Sequence, residues 1–321
     1  DEAVLDERIA AIRPEQEATL IYTSGTTGPP KAVMLSHDNL AFTARRAIQM
    51  FDLGANNREL SYLPLSHIAE QTFTVYGGVT AGYPVYFAES LEKLRDNLQE
   101  VQPTIFFGVP RVWERLYNGV VERMAESSGA QAKIADWAMG VGRRVSDLRN
   151  RGEEPSGMLA TQYRMADRLV FSKVKEALGL DCVTAAFVSA APINPDILVF
   201  FSGLDLIVHE IYGQSEGSGP TTVNRRGATK FGSGGLPFPD TEVVLAEDGV
   251  DAINVLGGNP VDLIITDVNM PNMNGIDLVK KLRQDATYRA TPILILTTES
   301  DDSLKQAGRA AGATGWIVKP F

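Results

Sequence analysis

The sequence predicts an α/β protein with a larger and a smaller domain, each built on a parallel sheet. Short apolar runs of the kind that form strands alternate with helix-like runs through most of the 321 residues, as βα units require. Polar clusters directly follow two of these apolar runs, at the strand ends where α/β sheets bind ligands. A stretch rich in Gly and Pro, residues 227–239, divides the two parts and is interpreted as a linker.

The elements of the first part follow from residue periodicity. Between residues 112 and 180, apolar residues recur every three or four positions, which is typical of helices. A break that contains Gly and Pro at residues 151–155 divides this helical stretch. Strands are predicted at residues 18–22, 84–87, 103–107, 183–188 and 204–209, and we expect the second and third of them to be buried.

The second part alternates more regularly. Predicted strands cover residues 242–246, 261–267, 292–297 and 315–319, and predicted helices cover residues 249–256, 275–284 and 303–311. The expected domains are therefore residues 1–241 and 242–321.

Composition and charge restrict the function classes. The net charge of −10, from 30 Lys and Arg against 40 Asp and Glu, argues against a nucleic-acid partner, which requires a basic surface. Neither a signal peptide nor an apolar run of about 18 residues is found, so no membrane span is expected. The single cysteine, Cys182, allows no internal disulfide and indicates a cytoplasmic protein. One cysteine and three histidines also offer few of the ligands that zinc prefers, which argues against a zinc site.

A cluster of small and hydroxyl residues follows the first predicted strand. Two glycines let the backbone approach a ligand closely, consecutive N–H and hydroxyl groups can donate to an anion, and a lysine adds positive charge. The spacing differs from that of a Walker A loop. We predict a phosphate-binding loop here, and a flexible Ser/Gly turn is the alternative. Its residues are Thr23, Ser24, Gly25, Thr26, Thr27, Gly28 and Lys31.

The run from Tyr22 to Lys31 closely resembles the phosphate loop of the adenylate-forming superfamily, which includes acyl-CoA synthetases, luciferases and peptide-synthetase adenylation domains. Residues 62–70 look like a segment of that family's acyl pocket, and residues 107–113 are similar to its long-chain acyl-CoA synthetase branch. Residues 190–192 resemble its adenine-binding turn. Residues 211–217, Ile-Tyr-Gly-Gln-Ser-Glu-Gly, resemble its Tyr-Gly-Gln-Thr-Glu motif.

This resemblance implies an N-terminal-domain fragment of an enzyme that forms an acyl-adenylate from a long-chain fatty acid and ATP. Mg²⁺ would assist, and CoA would be the co-substrate if a C-terminal domain were supplied. By resemblance, Tyr212 stacks on adenine, Ser215 binds the α-phosphate and Glu216 holds Mg²⁺; Lys31, Ser215 and Glu216 are the catalytic positions. The other nucleotide-binding positions are Ala190, Ala191, Pro192, Gly213 and Gln214.

The same resemblance places two residues, His67 and Trp113, in the acyl pocket. Trp113 would gate the fatty-acid tunnel, or it is an ordinary core residue. His67 would line the pocket, or it is a buried, hydrogen-bonded residue. His209 lies on an apolar strand and is interpreted as structural.

The sequence also departs from the family pattern. Ser189 stands where Gly is usual, and Ser215 replaces the usual Thr but keeps the hydroxyl. Nothing in the chain matches the family's ribose-binding Asp, its C-terminal domain with the adenylation Lys, or the segment that normally precedes the phosphate loop. We therefore expect impaired activity.

The second polar cluster ends the apolar strand predicted at residues 261–267. A carboxylate there, Asp267, suits a phosphoacceptor, and Thr297 and Lys319 end neighbouring strands where they could contact an acyl phosphate. The alternative is that Asp267 caps the next helix.

This region resembles a CheY-like response-regulator receiver, with a partial flavodoxin-like parallel sheet. The resemblance implies that Asp267 is phosphorylated and binds Mg²⁺, that Thr297 is the switch hydroxyl, Trp316 the aromatic switch residue and Lys319 the phosphate-sensing lysine. A histidine kinase or acetyl phosphate would be the phosphoryl donor.

The receiver's first strand, with its acidic pair, has no counterpart in the sequence. One hypothesis is therefore that the chain is a recombined or designed chimera without catalytic turnover, joined near Thr241. The other hypotheses are an adenylating ligase and a phosphorylatable signalling module.

Overall fold

The computed structural model describes residues 2–23, 31–126, 128–298 and 302–318, with backbone only at residues 23, 31 and 318. The chain forms two compact units. The first contains Asp1–Asn39, Ser215–Ser218 and Thr241–Phe321, and the second contains Leu40–Gln214 and Gly219–Asp240. No helix among the described residues is long and apolar enough to cross a membrane.

The helices and strands are numbered in chain order. The α-helices are α1 (Glu2–Ala10), α2 (His37–Phe51), α3 (Ile68–Glu70), α4 (Gly78–Ala81), α5 (Leu94–Val101), α6 (Pro110–Ala125), α7 (Ala130–Arg149), α8 (Gly157–Ala166), α9 (Ser172–Leu178), α10 (Pro195–Gly203), α11 (Gly249–Leu256), α12 (Gly275–Gln284) and α13 (Asp302–Ala311). The strands are β1 (Glu17–Thr23), β2 (Lys31–Ser36), β3 (Glu59–Ser61), β4 (Val85–Phe87), β5 (Ile105–Gly108), β6 (Ala185–Val188), β7 (Val208–Gln214), β8 (Gly219–Val223), β9 (Leu236–Pro237), β10 (Ile264–Asp267), β11 (Ile293–Thr297) and β12 (Gly315–Val318). Gln71–Gly77 and Asp167–Phe171 are π-helical, and Ser215–Gly217 is a 3₁₀ turn.

The second unit is organised by a mixed sheet whose strand order is β4-β3-β5-β6-β7-β8-β9. The strands from β4 to β7 are parallel, whereas β8 and β9 are antiparallel to their neighbours. Because β6 and β7 are parallel neighbours that pair up to Val188 and Glu210, the turn after β6 follows the same sheet edge beyond which the last residues of β7 extend. The sheet therefore has the predicted α/β architecture and places two of the candidate motifs together.

The core of this unit lies on both faces of the central strands. Every residue of β5 and β6 is buried, as expected of parallel strands covered on both sides. Phe106 packs on one face with Trp113, and Phe107 and Phe187 pack on the other. The helical stretch predicted after residue 112 forms α6 to α9, with the break at residues 151–155 as predicted.

Two strand predictions in this unit are corrected by the structure. The predicted strand at residues 84–87 exists as β4, but it is not buried, since Tyr86 is 45% and Phe87 is 69% exposed. β4 is an edge strand of the sheet, which leaves these side chains uncovered. The strand predicted at residues 204–209 instead begins at Val208 and continues through the motif to Gln214. Residues 204–207 are the connection from α10 to β7.

The Gly- and Pro-rich stretch at residues 227–239 is not a linker. Its end forms β9, which pairs with β8. The fully buried side chain of Asn224 donates from Nδ2 to the carbonyl oxygen of Ser233 at 2.9 Å and accepts from the N–H of Lys230 at 3.0 Å. The glycines therefore shape a folded loop of the second unit.

The first unit contains the antiparallel hairpin β1–β2 and a parallel sheet of order β10-β11-β12. Helices α11 and α12 have the predicted bounds, because their N-cap side chains are encoded locally. Asp248 accepts from two N–H groups at the start of α11, and Asn274 accepts from the N–H of Asp277 at the start of α12. Trp316 is buried in the core of this sheet with Ile295 and Val279.

The strand predicted at residues 242–246 is not formed. Its residues are irregular, with Val244 59% and Leu245 86% exposed. β10, the first strand of this sheet, is an edge strand with β11 beside it. An apolar β-branched run becomes a strand only by pairing, and no described strand pairs with residues 242–246.

Candidate functional site

The candidate nucleotide site of the second unit lies at the carboxyl ends of β6 and β7. These strands are neighbours in parallel register, with Val188 opposite Glu210. The exposed turn Ala190, Ala191 and Pro192 follows β6, and Ala190 has the left-handed φ of +77°. Tyr212, Gly213 and Gln214 form the last residues of β7. The fold therefore brings together the two motifs that sequence resemblance assigned to nucleotide binding.

The side chains at the end of β7 suit a nucleotide. Tyr212 is half-buried, and burial raises the pKa of its phenol above the ordinary range. A Cβ on Gly234 would lie 3.1 Å from the Cβ of Tyr212, so this glycine leaves room for the ring. The Nε2 atom of Gln214 is buried and finds no hydrogen-bond partner among the described residues. Since buried donors are normally paired, this orphaned donor fits a ligand acceptor such as a nucleotide oxygen or ring nitrogen.

Gly213 has a packing reason as well. A Cβ at this position would lie 1.9 Å from the carbonyl oxygen of Gly219, the first residue of β8. Only glycine permits this approach of β7 and β8. The glycine of the motif thus shapes the end of β7.

Glu210 is a site residue that sequence reasoning missed. Its carboxylate accepts from the N–H of Gly232 at 2.9 Å and from Nδ2 of Asn224 at 3.1 Å. Burial raises the pKa of Glu210, and these hydrogen bonds oppose that shift. Glu210 thereby holds the loop that carries Gly234 against Tyr212. Its only sequence signal was its position two residues before the tyrosine.

The two predicted acyl-pocket residues have different surroundings. His67 is half-buried, caps α3 by accepting from the N–H of Ala69 at 3.2 Å, and has its pKa lowered by burial. Trp113 is fully buried, and its Nε1 donates to the carbonyl oxygen of Phe187 at 3.0 Å. The Trp113 ring packs edge-on against Phe106 and Phe201. The structure thus places Trp113 within the core.

His209 is buried between the rings of Phe51 and Phe187. Burial lowers its pKa to about 4, so this histidine is neutral at pH 7. This environment agrees with the structural role expected for it.

The remaining motif residues belong to the first unit. Ser215 and Glu216 lie in the 3₁₀ turn Ser215–Gly217. Thr23 and Lys31 are paired across the hairpin β1–β2, which sequence reasoning did not predict. Ser24, Gly25, Thr26, Thr27 and Gly28, together with the side chains of Thr23 and Lys31, lie outside the described residues. The hairpin register nonetheless makes residues 24–30 the connection between two paired strands.

The candidate phosphorylation site is at the carboxyl edge of the three-stranded sheet. Asp267 ends β10 and is paired with Leu296, so Thr297 extends β11 one residue further. Thr297 is fully buried and pairs with Val318. Lys319, the next residue, lies outside the described part of the chain. The backbone therefore brings Asp267 and Thr297 to adjacent strand ends, as predicted.

The structure also limits how a metal could bind. Across residues 2–23, 31–126, 128–298 and 302–318, no group of three or more His, Cys, Asp or Glu side chains could hold a cation. Among these residues, Glu216 and Asp267 therefore belong to no such group of three. A single carboxylate fits Mg²⁺ that arrives with substrate phosphates, because Mg²⁺ is often bound by one or two carboxylates plus phosphates and water.

Comparisons with known proteins find two family matches in this chain. The AMP-binding enzyme family model matches residues 1–254, and the response regulator receiver domain model matches residues 238–321. A long-chain-fatty-acid–CoA ligase of Xenopus laevis is 44% identical over 238 residues, which are 72% of this chain and 32% of that protein. The human protein of the same description is 38% identical over 253 residues, 78% of this chain and 38% of that protein. The chain thus spans about a third of these relatives' length.

Two solved structures are similar to parts of this chain. A malonyl-CoA ligase complex with methylmalonyl-CoA and AMP has a TM-score of 0.50 at 21% identity, over 74% of this chain and 42% of that chain, which supports the fold alone. The chemotaxis protein CheY4 of Vibrio cholerae is 50% identical over 26% of this chain and 68% of that chain, with a TM-score of 0.25. The chain therefore belongs to the AMP-binding enzyme family, in a part that resembles long-chain fatty acid–CoA ligases, and carries a response regulator receiver domain in its C-terminal part.

Proposed function

We propose that the AMP-binding part forms an acyl-adenylate from a long-chain fatty acid and ATP. The observation that carries this proposal is the end of β7, where Tyr212 offers a half-buried ring and the buried Nε2 of Gln214, two residues on, finds no hydrogen-bond partner among the described residues. An aromatic face suits a base, and a buried orphan donor suits a nucleotide acceptor. The similarity to long-chain-fatty-acid–CoA ligases supports the choice of a fatty acid.

In this reaction a carboxylate oxygen attacks the α-phosphorus of ATP, a P–O bond forms, and pyrophosphate leaves with the electrons of the broken bond. Residues 23–28, Lys31 and Ser215 would bind the phosphates, and charge stabilisation by such groups is the main catalytic effect expected. Mg²⁺, held by Glu216 with the phosphates, would neutralise negative charge. Ala190, Ala191, Pro192 and Gly213 would line the nucleotide; His67 and Trp113 would border the acyl chain.

The direct test is fatty-acid-dependent exchange of labelled pyrophosphate into ATP. We expect exchange with a long-chain acid, and a loss of about a hundredfold or more in Glu216→Ala and Lys31→Ala, the loss typical of removing a charge-stabilising group. The surface control is Tyr86→Ala, because Tyr86 is an exposed tyrosine on the edge strand β4. Exchange no greater than in the Glu216→Ala variant would refute the ligase proposal and favour a chimera without turnover. CoA is the proposed acceptor of the acyl group from the acyl-adenylate.

A second proposal concerns the receiver domain. We infer that Asp267 accepts a phosphoryl group from a histidine kinase or from acetyl phosphate, with Thr297, Trp316 and Lys319 responding to it. Its support is the position of Asp267 and Thr297 at adjacent strand ends. Incubation with acetyl phosphate and Mg²⁺ should add one phosphoryl group by mass spectrometry, and Asp267→Asn should not be modified. Equal modification of both proteins would contradict this role.

We also propose that the boundary between the two parts lies near Thr241. The family matches overlap at residues 238–254, so both families' patterns fit the sequence around this point. Limited proteolysis should cut first within the exposed residues 243–245. Initial cleavage elsewhere, with residues 243–245 intact, would contradict the boundary.

A further inference from the structure

Two buried glutamates lie beneath the predicted acyl-pocket segment, and neither the ligase chemistry nor the nucleotide site uses them. Glu59, on β3, is 2% exposed, and Glu70, in α3, is 3% exposed. Acidic side chains are almost never this buried unless they have partners. The hydrogen bonds of the two carboxyl groups differ sharply.

Glu70 is surrounded by donors. Its Oε1 accepts from the hydroxyl of Ser61 and from the hydroxyl of Thr74, the latter at 3.0 Å. The neighbouring backbone N–H groups of Tyr62 and Leu63 also act to lower the pKa of its carboxyl group. A carboxyl group that accepts from several donors is stabilised in its ionised form. Burial raises its pKa, and these donors oppose that rise.

Glu59 has almost none of this support. Its Oε1 lies 3.5 Å from the hydroxyl of Thr74, and its Oε2 finds no partner among the described residues. The Thr74 hydroxyl has a single proton, and its shorter contact, at 3.0 Å, is to Glu70, so it gives Glu59 little support. Burial and the adjacent charge of Glu70 raise the pKa of Glu59 to about 8.

The contacts of Glu70, the last residue of the acyl-pocket segment 62–70, lead back to the start of that segment. Ser61 ends β3, and Tyr62 and Leu63 begin the segment. The hydroxyl of Tyr62 in turn accepts from the N–H of Val109 at 3.1 Å. Val109 is the N-cap of α6, the helix that carries Trp113. One carboxylate thus supports the backbone from which both predicted acyl-pocket residues project.

We propose that Glu70 is a positioning residue for the acyl pocket: its carboxylate fixes the backbone of residues 61–63 and, through Tyr62, the start of α6. This proposal rests on the proposed ligase function, because the acyl pocket binds a fatty acid only if the protein is such a ligase. The contacts of Glu70 are independent of that function. Glu70 would act on the fatty acid only through the segment that it holds. Glu59 would not act on it, because its carboxyl group holds none of that backbone.

The test compares Glu70→Gln with Glu59→Gln, two isosteric changes at equally buried sites. Backbone amide exchange with deuterium, followed in peptides that contain residues 61–67 and Val109, needs no catalysis. Glu70→Gln should speed exchange there about tenfold or more, the effect of weakening charge-assisted hydrogen bonds. Glu59→Gln should leave exchange in these peptides within about twofold of the wild type.

The kinetic readout is the pyrophosphate exchange assay. Glu70→Gln should raise KM for the fatty acid about tenfold while KM for ATP stays constant, because only the acyl pocket is displaced. Should Glu70→Gln not fold, Ser61→Ala removes one of its donors and should change both readouts in the same direction. Equal effects of Glu70→Gln and Glu59→Gln, or no effect of Ser61→Ala, would overturn the proposal. A wild-type protein without pyrophosphate exchange would refute the ligase function and leave the amide-exchange result as the test of positioning.

Discussion

Glu59 should make the stability of the second unit fall as pH rises. In the unfolded chain its carboxyl group ionises near the ordinary value of 4.5, whereas in the folded protein its pKa is about 8. Between these values the folded state therefore binds more protons than the unfolded state, and the free energy of unfolding decreases with increasing pH. Glu70 and Tyr83 are titratable groups that interact with Glu59. Only Glu70 adds a charge at neutral pH, and that charge opposes ionisation of Glu59.

The magnitude follows from the same interval. As the pH rises from 4.5 to about 8, the ionisation of Glu59 alone lowers the free energy of unfolding by about 5 kcal/mol, since each pH unit contributes about 1.4 kcal/mol. Glu59→Gln removes the titration and keeps the shape, so the variant should gain stability over the wild type progressively across this range.

Urea unfolding at a series of pH values measures this effect. The difference in unfolding free energy between Glu59→Gln and the wild type should grow from near zero below pH 4.5 to several kcal/mol above pH 8. Glu100→Gln, at an exposed position of α5, is the control and should follow the wild type. A constant difference between Glu59→Gln and the wild type across the range would refute the reasoning.

Three further predictions concern packing and charge. Trp113→Ala should lower the free energy of unfolding by about 3–5 kcal/mol in urea denaturation, because a fully buried ring is removed; a loss below about 1 kcal/mol would show that the ring does not fill the core. Asp205→Asn should cost about 3 kcal/mol, because Arg149 and Lys175, at 2.6 and 2.9 Å from the Asp205 carboxylate, would keep only their other partners, Glu154 and Asp167; an unchanged midpoint in thermal unfolding would contradict this. Gly275→Ala should slow phosphorylation by acetyl phosphate, since its Cβ would lie 1.9 Å from the carbonyl oxygen of Asp267 and must displace that loop; a wild-type rate would contradict it.

The sequence predicts helices and strands well where residues close together in the chain determine them. The bounds of α11 and α12 are confirmed because N-cap residues such as Asp248 and Asn274 encode helix starts within a few positions. The central strands β5 and β6 are found because an uninterrupted apolar run is typical of a parallel strand covered on both faces.

The errors arise where tertiary contacts decide. Residues 242–246 have strand composition but no pairing partner, so they remain irregular. The stretch at residues 227–239 has linker composition, but Asn224 and Glu210 fold it against β8. The exposure of β4 depends on its place at the sheet edge, which its own residues do not encode.

The candidate site was predicted unevenly for the same reason. Tyr212, Gln214 and Asp267 could be proposed from the sequence because they lie at or near strand ends within recognisable motifs. Glu59 and Glu70 were not, since their relation depends on the fold that places β3 beside α3 and on the hydroxyl of Thr74 between them. No spacing in the sequence distinguishes this pair from exposed glutamates.

The central claim is that one chain combines a nucleotide site at the end of β7 with an acyl pocket. Calorimetric titration with a non-hydrolysable acyl-sulfamoyl-adenosine, a mimic of the acyl-adenylate, tests this claim without requiring turnover. The account predicts saturable binding to the full chain, displaced by ATP and by fatty acid, about tenfold weaker in Tyr212→Ala because base stacking is lost, and unchanged in Tyr86→Ala. Absence of binding, or equal affinity of the wild type and Tyr212→Ala, would contradict it.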